Sequence, residues 1–304
     1  MEPFRLHILG CGSALPTLRH FPTTQVLECR GKLFMIDCGE GAQLQMRKAG
    51  LSYAKLGHIF ISHLHGDHCF GLVGMLSTMG LLGRTAAMHV YGEPALGKIL
   101  DFQLNAFCRD LGYEVKFHPV DTTQQQVVYE DRSLTVETLP LNHRLPCCGY
   151  LFREKPSLPH IRRDMIDCYD IPVSQIQNIK NGQDYVLDDG TVIPNAQLVK
   201  PADPPRAYAY VSDTKYLPSL AAKLKEVTTL YHEATYGDDN LAMAEKYNHS
   251  TARQAALLAR EAGVGQLILG HYSSRYTDEN VLLGQAKEEF PCTRLAQELD
   301  TIDL

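Results

Sequence analysis

The sequence predicts a mixed α/β fold in which strands are followed by helices in both halves of the chain. Short runs of β-branched and aromatic residues, such as residues 58–62, lead into Gly-containing turns and then into more helical stretches. Core-like patterning stops over residues 151–205 and returns at residues 207–211. With 44% hydrophobic and 21% charged residues in a chain of 304, the composition is ordinary for a globular protein.

Most of the predicted elements lie in the first half of the chain. Residues 5–10 alternate like a strand, and two apolar runs on either side of Arg30-Gly31 predict a hairpin. Gly50 ends a predicted helix that begins near Gly41. The remaining elements, in chain order, are a strand at 58–62, a helix at 72–82, a strand at 88–92, a helix at 94–108, strands at 113–118, 133–139, 207–211 and 229–231, a helix at 251–262 and a strand at 266–270.

Residues 151–205 are expected to form an inserted flexible arm with only a little structure of its own. They are rich in Pro and charge, and their short apolar pieces are interrupted by Gly and Pro. Because the chain as a whole is acidic, basic residues on such an arm are the best place to meet a phosphate backbone, although a solvated surface is the alternative. These residues are Arg153, Lys155, Arg162, Arg163 and Lys180.

The segment His63-Leu64-His65-Gly66-Asp67-His68 places three imidazoles and a carboxylate within six residues, directly after an apolar run. Residues i and i+2 of an extended chain point the same way, so His63 and His65 share a face. The turn at Gly66 directs Asp67 and His68 toward a second, neighbouring point. Burying these groups without a metal would leave several of them unsatisfied, so the pattern predicts a pair of divalent cations. Zinc suits imidazole and carboxylate ligands, with manganese, iron or magnesium as alternatives.

The pattern H-x-H-x-D-H after a strand resembles the signature of the metallo-β-lactamase-fold hydrolases. Within that superfamily the whole chain resembles the ribonuclease Z family, whose members remove the 3′ trailer from precursor tRNA. His-Glu-Ala-Thr at 232–235 and His-Ser-Thr at 249–251 match two further motifs of that family. The resemblance implies a four-layer αββα sandwich over residues 1–304, with residues 151–205 inserted as a tRNA-binding exosite.

Three more ligand-type residues each follow an apolar strand, namely His143, Asp213 and His271. Strand ends are where open sheets place their chemistry. The resemblance implies that Asp213 bridges two ions, and the two remaining ligand sets are His63, His65 and His143 for one ion and Asp67, His68 and His271 for the other. Asp67 is expected to accept the proton of a metal-activated water that attacks the phosphodiester, or else to act as a ligand only.

Further roles follow from the resemblance. It implies that His249 protonates the leaving 3′ oxygen, with Glu233 hydrogen-bonded nearby, so that the tRNA keeps a 3′-hydroxyl. Asp37 is expected to orient a ligand histidine through a hydrogen bond, and capping the next helix is its alternative role. Thr251 begins a capping-box pattern.

The loop at residues 16–21 departs from the family's P-x-K-x-R-N pattern because Leu18 replaces the Lys, which leaves the treatment of CCA ends open.

Charge and cysteine usage limit the cellular context. The net charge of −6 weighs against nucleic-acid binding unless a local basic patch exists. Nine cysteines without a CxxC pair predict reduced thiols in a cytoplasmic protein, although metal binding by cysteine is an alternative. No apolar run approaches the roughly 20 residues that a membrane span requires.

The resemblance also implies a homodimer in which the arm of one subunit holds tRNA for the site of the other.

Two other functions remain open from the sequence. A small-molecule phosphodiesterase, arylsulfatase or lactonase can use the same ligands on the same fold. A non-catalytic RNA-binding protein with a degenerate site is the second alternative. The complete ligand set argues against the second, and the two additional motifs and the long arm argue against the first.

Overall fold

A computed structural model describes residues 3–304. The strands are β1 (Phe4–Gly10), β2 (Thr24–Cys29), β3 (Lys32–Ile36), β4 (Leu56–Phe60), β5 (Met88–Gly92), β6 (Val115–Pro119), β7 (Val127–Glu130), β8 (Leu134–Pro140), β9 (Cys148–Glu154), β10 (His160–Ile161), β11 (Tyr185–Val186), β12 (Val192–Ile193), β13 (Val199–Lys200), β14 (Ala207–Val211), β15 (Thr229–Glu233), β16 (Gln266–Gly270), β17 (Thr293–Leu295) and β18 (Thr301–Asp303). The α-helices are α1 (Ala42–Lys48), α2 (Gly66–Cys69), α3 (Leu72–Leu81), α4 (Pro94–Phe107), α5 (Arg163–Cys168), α6 (Val173–Lys180), α7 (Asn195–Leu198), α8 (Leu241–Tyr247), α9 (Ala252–Ala262) and α10 (Asn280–Glu289).

Two seven-stranded sheets form the centre of the larger unit, which comprises residues 3–153 and 206–304. The first sheet has the order β18-β1-β2-β3-β4-β5-β6, and the second has the order β17-β16-β15-β14-β9-β8-β7. Strands β3 to β6 pair in parallel, as do β14 to β17, so each sheet has a parallel half and a half with antiparallel pairs.

An aromatic layer joins the two sheets face to face. The Phe60 ring of the first sheet lies 5.3 Å from the Tyr150 ring and 5.5 Å from the Phe152 ring of the second, measured between centroids. Phe34 packs against Phe152 in the same layer. All four rings are buried, so the two inner faces contribute hydrophobic stabilisation where the sheets meet.

Helices cover the outer faces of the sheets. Met46 of α1, Met75 of α3 and Leu96 of α4 are buried together with the outward-facing residues Met35 and Ile59 of the first sheet. Helices α9 and α10 pack against each other and against strands of the second sheet, where the small residues of α9 allow close approach. The four-layer αββα arrangement is therefore confirmed.

The parallel strands end where polar residues begin. Every residue of β14 and β15 is buried, as expected for central parallel strands covered on both faces. Polar residues then follow at the carboxyl ends of β3, β14 and β16, which are Asp37, Asp213 and His271. The strand before the His63–His68 segment has the expected length but begins and ends two residues earlier, because β4 spans Leu56–Phe60.

Residues 154–205 form a separate compact unit. It has a small apolar cluster of its own, with buried Ile171, Ile179, Ile193 and Leu198. Its secondary structure is short, with helices α5 to α7 and the two ribbons β10-β13 and β11-β12. The unit begins three residues later than the sequence suggested, because Leu151 and Phe152 are buried core residues of β9.

None of the helices between residues 3 and 304 has the length and apolar character that crossing a membrane requires.

The capping box predicted at Thr251 is confirmed. Its hydroxyl accepts a hydrogen bond from the Gln254 amide at the start of α9, and the Gln254 side chain accepts one from the Thr251 amide.

Thr251→Ala is expected to lower the free energy of unfolding by about 1 kcal/mol, the usual cost of removing an N-cap side chain. Urea denaturation followed by circular dichroism measures this. Thr277→Ala, at an exposed position, is the matched control and should leave stability unchanged. Equal midpoints for wild type and Thr251→Ala would show that the cap does not stabilise α9.

Candidate metal centre

The seven predicted metal ligands come from four separate segments of the chain and converge into two adjacent groups. The first group is His63, His65 and His143 with Asp213. The second group is Asp67, His68 and His271. These two groups are called the candidate metal centre below.

Three ring nitrogens meet in the first group. His65 Nδ1 lies 2.9 Å from His63 Nε2 and 3.3 Å from His143 Nε2. Asp213 Oδ2 lies 3.7 Å from His63 Nε2 and 3.8 Å from His143 Nε2. One small volume is therefore surrounded by three nitrogens and one carboxylate oxygen.

The second group is arranged around the other oxygen of Asp213. Asp213 Oδ1 lies 3.2 Å from His271 Nε2 and 3.5 Å from His68 Nε2. Asp67 Oδ2 completes the group at 3.3 Å from His68 Nε2 and 3.4 Å from His271 Nε2. Asp213 thus directs one carboxylate oxygen at each group.

Hydrogen bonds on the far side of the rings fix which nitrogen faces the centre. His68 Nδ1 donates to Asp37 Oδ2 at 2.7 Å. His143 Nδ1 lies 2.9 Å from the carbonyl oxygen of Asn248, which can only accept, so the proton is on Nδ1. In the neutral form of each ring, Nε2 then presents a lone pair to the centre.

His271 is oriented in the same way by Thr235. The Thr235 hydroxyl donates to Glu233 Oε2 at 2.6 Å, so it accepts from His271 Nδ1 at 2.8 Å. Thr235 is the last residue of the His-Glu-Ala-Thr motif, to which sequence reasoning gave no role. In the sequence, only the place of Thr235 in this motif, two residues after Glu233, could have indicated such a role.

These residues fit divalent cations. The buried His68 Nε2 has no hydrogen-bond partner, which is costly unless a cation binds there. Burial alone would lower the pKa of His68, but the nearby Asp67 and Asp213 raise it, so the pocket favours positive charge. Burial also lowers the pKa of His63 well below its usual value and keeps this ring in the neutral form that metals require.

Asp37 connects the two sheets beneath the centre. Besides His68, its carboxylate accepts hydrogen bonds from Tyr210 Oη at 2.6 Å, Ser62 Oγ at 2.8 Å and the Ser62 amide at 2.7 Å. The hydrogen bond expected between Asp37 and a ligand histidine is therefore present. The alternative role is not, because the residue preceding α1 is Gly41 and no side chain caps that helix.

Three residues of the site and its supports have left-handed backbone conformations. Asp37 has φ 55° and His271 has φ 59°, in the left-handed region that non-Gly residues rarely adopt. Asn248, whose carbonyl orients His143, has φ 56°. Such conformations cost of order 1–3 kcal/mol and are typical of functional sites.

Glu233 and His249 form a hydrogen-bonded pair beside the centre. His249 Nδ1 donates to Glu233 Oε1 at 2.9 Å. Burial alone would raise the pKa of Glu233, but the charge and hydrogen bond of His249 lower it. Burial alone would lower the pKa of His249, but the charge and hydrogen bond of Glu233 raise it to about 9. The pair can therefore hold a proton on His249, whose side chain is 10% exposed.

The basic residues predicted to bind substrate differ in their partners and exposure. Arg153 belongs to β9, and its guanidinium donates to the carbonyl oxygens of Lys223 and Lys225. Arg162 pairs with Asp164 at 2.5 Å, while Arg163 is exposed. Lys155 and Lys180 are half-buried.

A family model described as anti-Pycsar protein Apyc1 matches residues 4–159. This match includes His63 to His68 and His143 but ends before Asp213 and the elements that follow it. A relative named Ribonuclease Z from Bacteroides fragilis is 58% identical over 298 residues, which covers 98% of each chain. The chain belongs to the ribonuclease Z family. The resemblance that the sequence motifs indicated is thereby confirmed.

Solved structures place this ribonuclease Z family member in the metallo-β-lactamase fold. Human tRNase Z, short form, has a TM-score of 0.71 at 22% identity and covers 98% of each chain. YhfI from Bacillus subtilis, described as a metallo-β-lactamase fold protein, has a TM-score of 0.69 at 18% identity over the full length of both chains. At these sequence identities, both similarities show only that the fold is shared.

Asp37→Asn is expected to weaken zinc binding about 10–100-fold, because the neutral amide is a weaker acceptor for the His68 Nδ1–H. Competition with a chromogenic chelator measures the affinity of the purified protein. Asp110→Asn, at an exposed position after α4, is the matched control. Unchanged affinity in Asp37→Asn would mean that the hydrogen bond to His68 does not prepare a metal ligand.

Proposed function

We propose that this protein is a metal-dependent endoribonuclease that removes the 3′ trailer from precursor tRNA and leaves a 3′-hydroxyl on the tRNA. The observation that carries the proposal is the hydrogen-bonded Glu233–His249 pair beside the two groups of ligand-type residues. In a member of the ribonuclease Z family, this arrangement supplies both a place for cations at a phosphodiester and a proton donor for its leaving oxygen.

Two divalent cations per subunit fit the candidate metal centre. The two oxygens of Asp213, each facing one group, support a bridging role for this carboxylate. The nitrogen-rich donor set favours Zn²⁺, with Mn²⁺ or Mg²⁺ as alternatives. When bound, such cations supply Lewis acidity, which favours ionisation of water near neutral pH and offsets negative charge on the phosphate.

Asp67 and His249 are assigned to the two proton transfers. Asp67 takes the proton of the attacking water, because its carboxylate lies in the second group and is held there by contacts with His68 and His271. His249 gives its proton to the 3′ oxygen as the bond from phosphorus to that oxygen breaks. Glu233 positions His249 and compensates its charge, and the phosphate stays on the released trailer.

Glu233 is well suited to this positioning role. Its Oε1 also accepts hydrogen bonds from the amides of Thr214 and Ser250, both at 3.1 Å. Its Oε2 accepts from the amide and the hydroxyl of Thr235. A buried carboxylate with this many donors stays ionised, so it holds the His249 ring in one orientation.

The unit of residues 154–205 is proposed to bind the body of the tRNA, with Arg153 beside it in β9. Support comes from the exposed Arg163 and from Arg162, whose side chain is 33% exposed. Lys155 and Lys180 add positive charge to the same unit. The family resemblance supports a homodimer in which this unit of one subunit serves the site of the other, and the substrate supports a cytoplasmic location.

Incubation with a precursor tRNA that carries a 3′ trailer tests the proposal. A single cut at the 3′ end of the mature tRNA is expected, and chelator should abolish it. His249→Ala is expected to lower kcat roughly 10²–10⁴-fold, the usual contribution of a proton donor, while zinc content stays at the wild-type level.

His118→Ala in β6 is the matched control for His249→Ala and should cleave like wild type. A chelator-resistant cut would contradict the metal-dependent mechanism. Full activity in His249→Ala would remove this residue from the proton transfer.

Arg162→Ala/Arg163→Ala is expected to raise KM for precursor tRNA. The slope of log affinity against log salt concentration should fall by the amount expected for the loss of about two phosphate contacts. Hydrolysis of bis-p-nitrophenyl phosphate, a small phosphodiester, should be unchanged. Arg109→Ala/Arg132→Ala removes two exposed charges from the larger unit and is the matched control. Equal loss on both substrates in the first variant would favour a small-molecule hydrolase over an RNA-clamping role for these residues.

A further inference from the structure

A second compact group of ligand-type side chains lies outside the candidate metal centre. Cys11 follows β1, His20 lies in the connection between β1 and β2, and Glu298 lies between β17 and β18. Cys11 Sγ lies 3.5 Å from His20 Nδ1 and 3.3 Å from Glu298 Oε1, and His20 Nδ1 lies 3.1 Å from Glu298 Oε1. Three distant parts of the sequence thus bring sulfur, nitrogen and oxygen to one point.

The separations among these atoms match those of ligands around one metal ion. A tetrahedral zinc with typical bond lengths to sulfur, nitrogen and oxygen places its ligand atoms about 3.3–3.5 Å from one another. The observed distances of 3.5, 3.3 and 3.1 Å require only a small expansion to reach this geometry. The corresponding nitrogen pairs in the candidate metal centre are equally close, at 2.9 and 3.3 Å.

His20 is oriented as metal-binding histidines usually are. Its Nε2 lies 3.2 Å from Glu279 Oε1, so in the neutral form that binds metal an Nε2–H donates to this carboxylate and the Nδ1 lone pair faces Cys11 and Glu298. The ring also packs against Tyr272, with 5.5 Å between the centroids. These contacts fix the ring without using the atom that would bind the metal.

We propose that Cys11, His20 and Glu298 bind a further divalent transition-metal cation of the zinc class, at a structural site distinct from the candidate metal centre. As the sulfur–metal bond forms, the Cys11 thiol releases its proton to solvent. The thiolate and the carboxylate together neutralise the two positive charges of the cation, which limits the cost of burial. The side chains of His20 and Glu298 are 15% and 16% exposed, whereas Cys11 is buried.

Such a cation braces the strand end that carries His271. The Cys11 carbonyl accepts a hydrogen bond from the Tyr272 amide at 2.9 Å, and the Ser13 amide donates to the Tyr272 carbonyl at 3.1 Å. Fixing the Cys11 side chain therefore restrains the residue next to His271. The inference does not depend on the proposed nuclease activity, because it concerns only how the chain is held.

A proton in place of the cation is the alternative. Glu298 and Glu279 raise the pKa of His20, so a protonated His20 held between two carboxylates also satisfies these groups. That arrangement leaves the thiol protonated, whereas a bound metal requires the thiolate. Detection of a sulfur–metal bond therefore separates the two.

Loading the full-length protein with Co²⁺ provides this detection. The candidate metal centre offers only nitrogen and oxygen donors, so a thiolate-to-cobalt charge-transfer band in the near ultraviolet reports on Cys11. Wild type is expected to show the band, and Cys11→Ser is expected to lose it and to bind one metal fewer per chain. Cys69→Ser is the matched control and should keep the band, because Cys69 is next to His68 but outside the proposed site.

Absence of the band in cobalt-loaded wild type, or its persistence in Cys11→Ser, would overturn the proposal. Loss of the band in Cys69→Ser would also overturn it by assigning the sulfur to the other thiol. Zinc-edge X-ray absorption of wild type needs no variant and covers the case in which Cys11→Ser fails to fold. A sulfur scatterer at about 2.3 Å is expected there, and a spectrum with only nitrogen and oxygen neighbours would contradict the site.

Discussion

Four imidazole rings of the candidate metal centre are each held by a hydrogen bond at Nδ1, which turns Nε2 toward the centre. They belong to His63, His68, His143 and His271. Without a cation, several lone pairs and two carboxylates would face one another in a buried volume. The rest of the site depends on this constraint, because the acceptors at Nδ1 come from different parts of the fold and must all be in place together.

These hydrogen-bond acceptors are brought into position when the two sheets pack together. Asp37 ends a strand of the first sheet, and Tyr210 reaches it from the second sheet, so one buried carboxylate joins both sheets beneath His68. Thr235 and the carbonyl of Asn248 orient His271 and His143 from the second sheet and its following loops. The contacts that orient the candidate ligands therefore depend on the packing of the two sheets. The left-handed conformations of Asp37 and His271 are tolerated because both residues are held from several sides.

The candidate metal centre and the adjacent Glu233–His249 pair have different electrostatic properties. The ligand-type residues attract positive charge, whereas the Glu233–His249 pair can hold a proton on His249. The Cys11 group is tied to the same region through the backbone of Tyr272, so the loop after β1 and the strand end at His271 are mechanically coupled. This coupling connects a loop whose sequence departs from the family pattern to the candidate metal centre.

Local sequence patterns were sufficient to predict the type of fold, the positions of His143, Asp213 and His271 after strands, and the family. Hydrophobic periodicity is a local property, and the His63–His68 segment carries several ligands in a span short enough to interpret directly. The folded structure was needed to show that Thr235 and Tyr210 support the candidate ligands, and that Cys11, His20 and Glu298 meet. These relations join residues far apart in the chain, and the packing of two sheets rather than any local pattern brings their side chains within hydrogen-bonding distance.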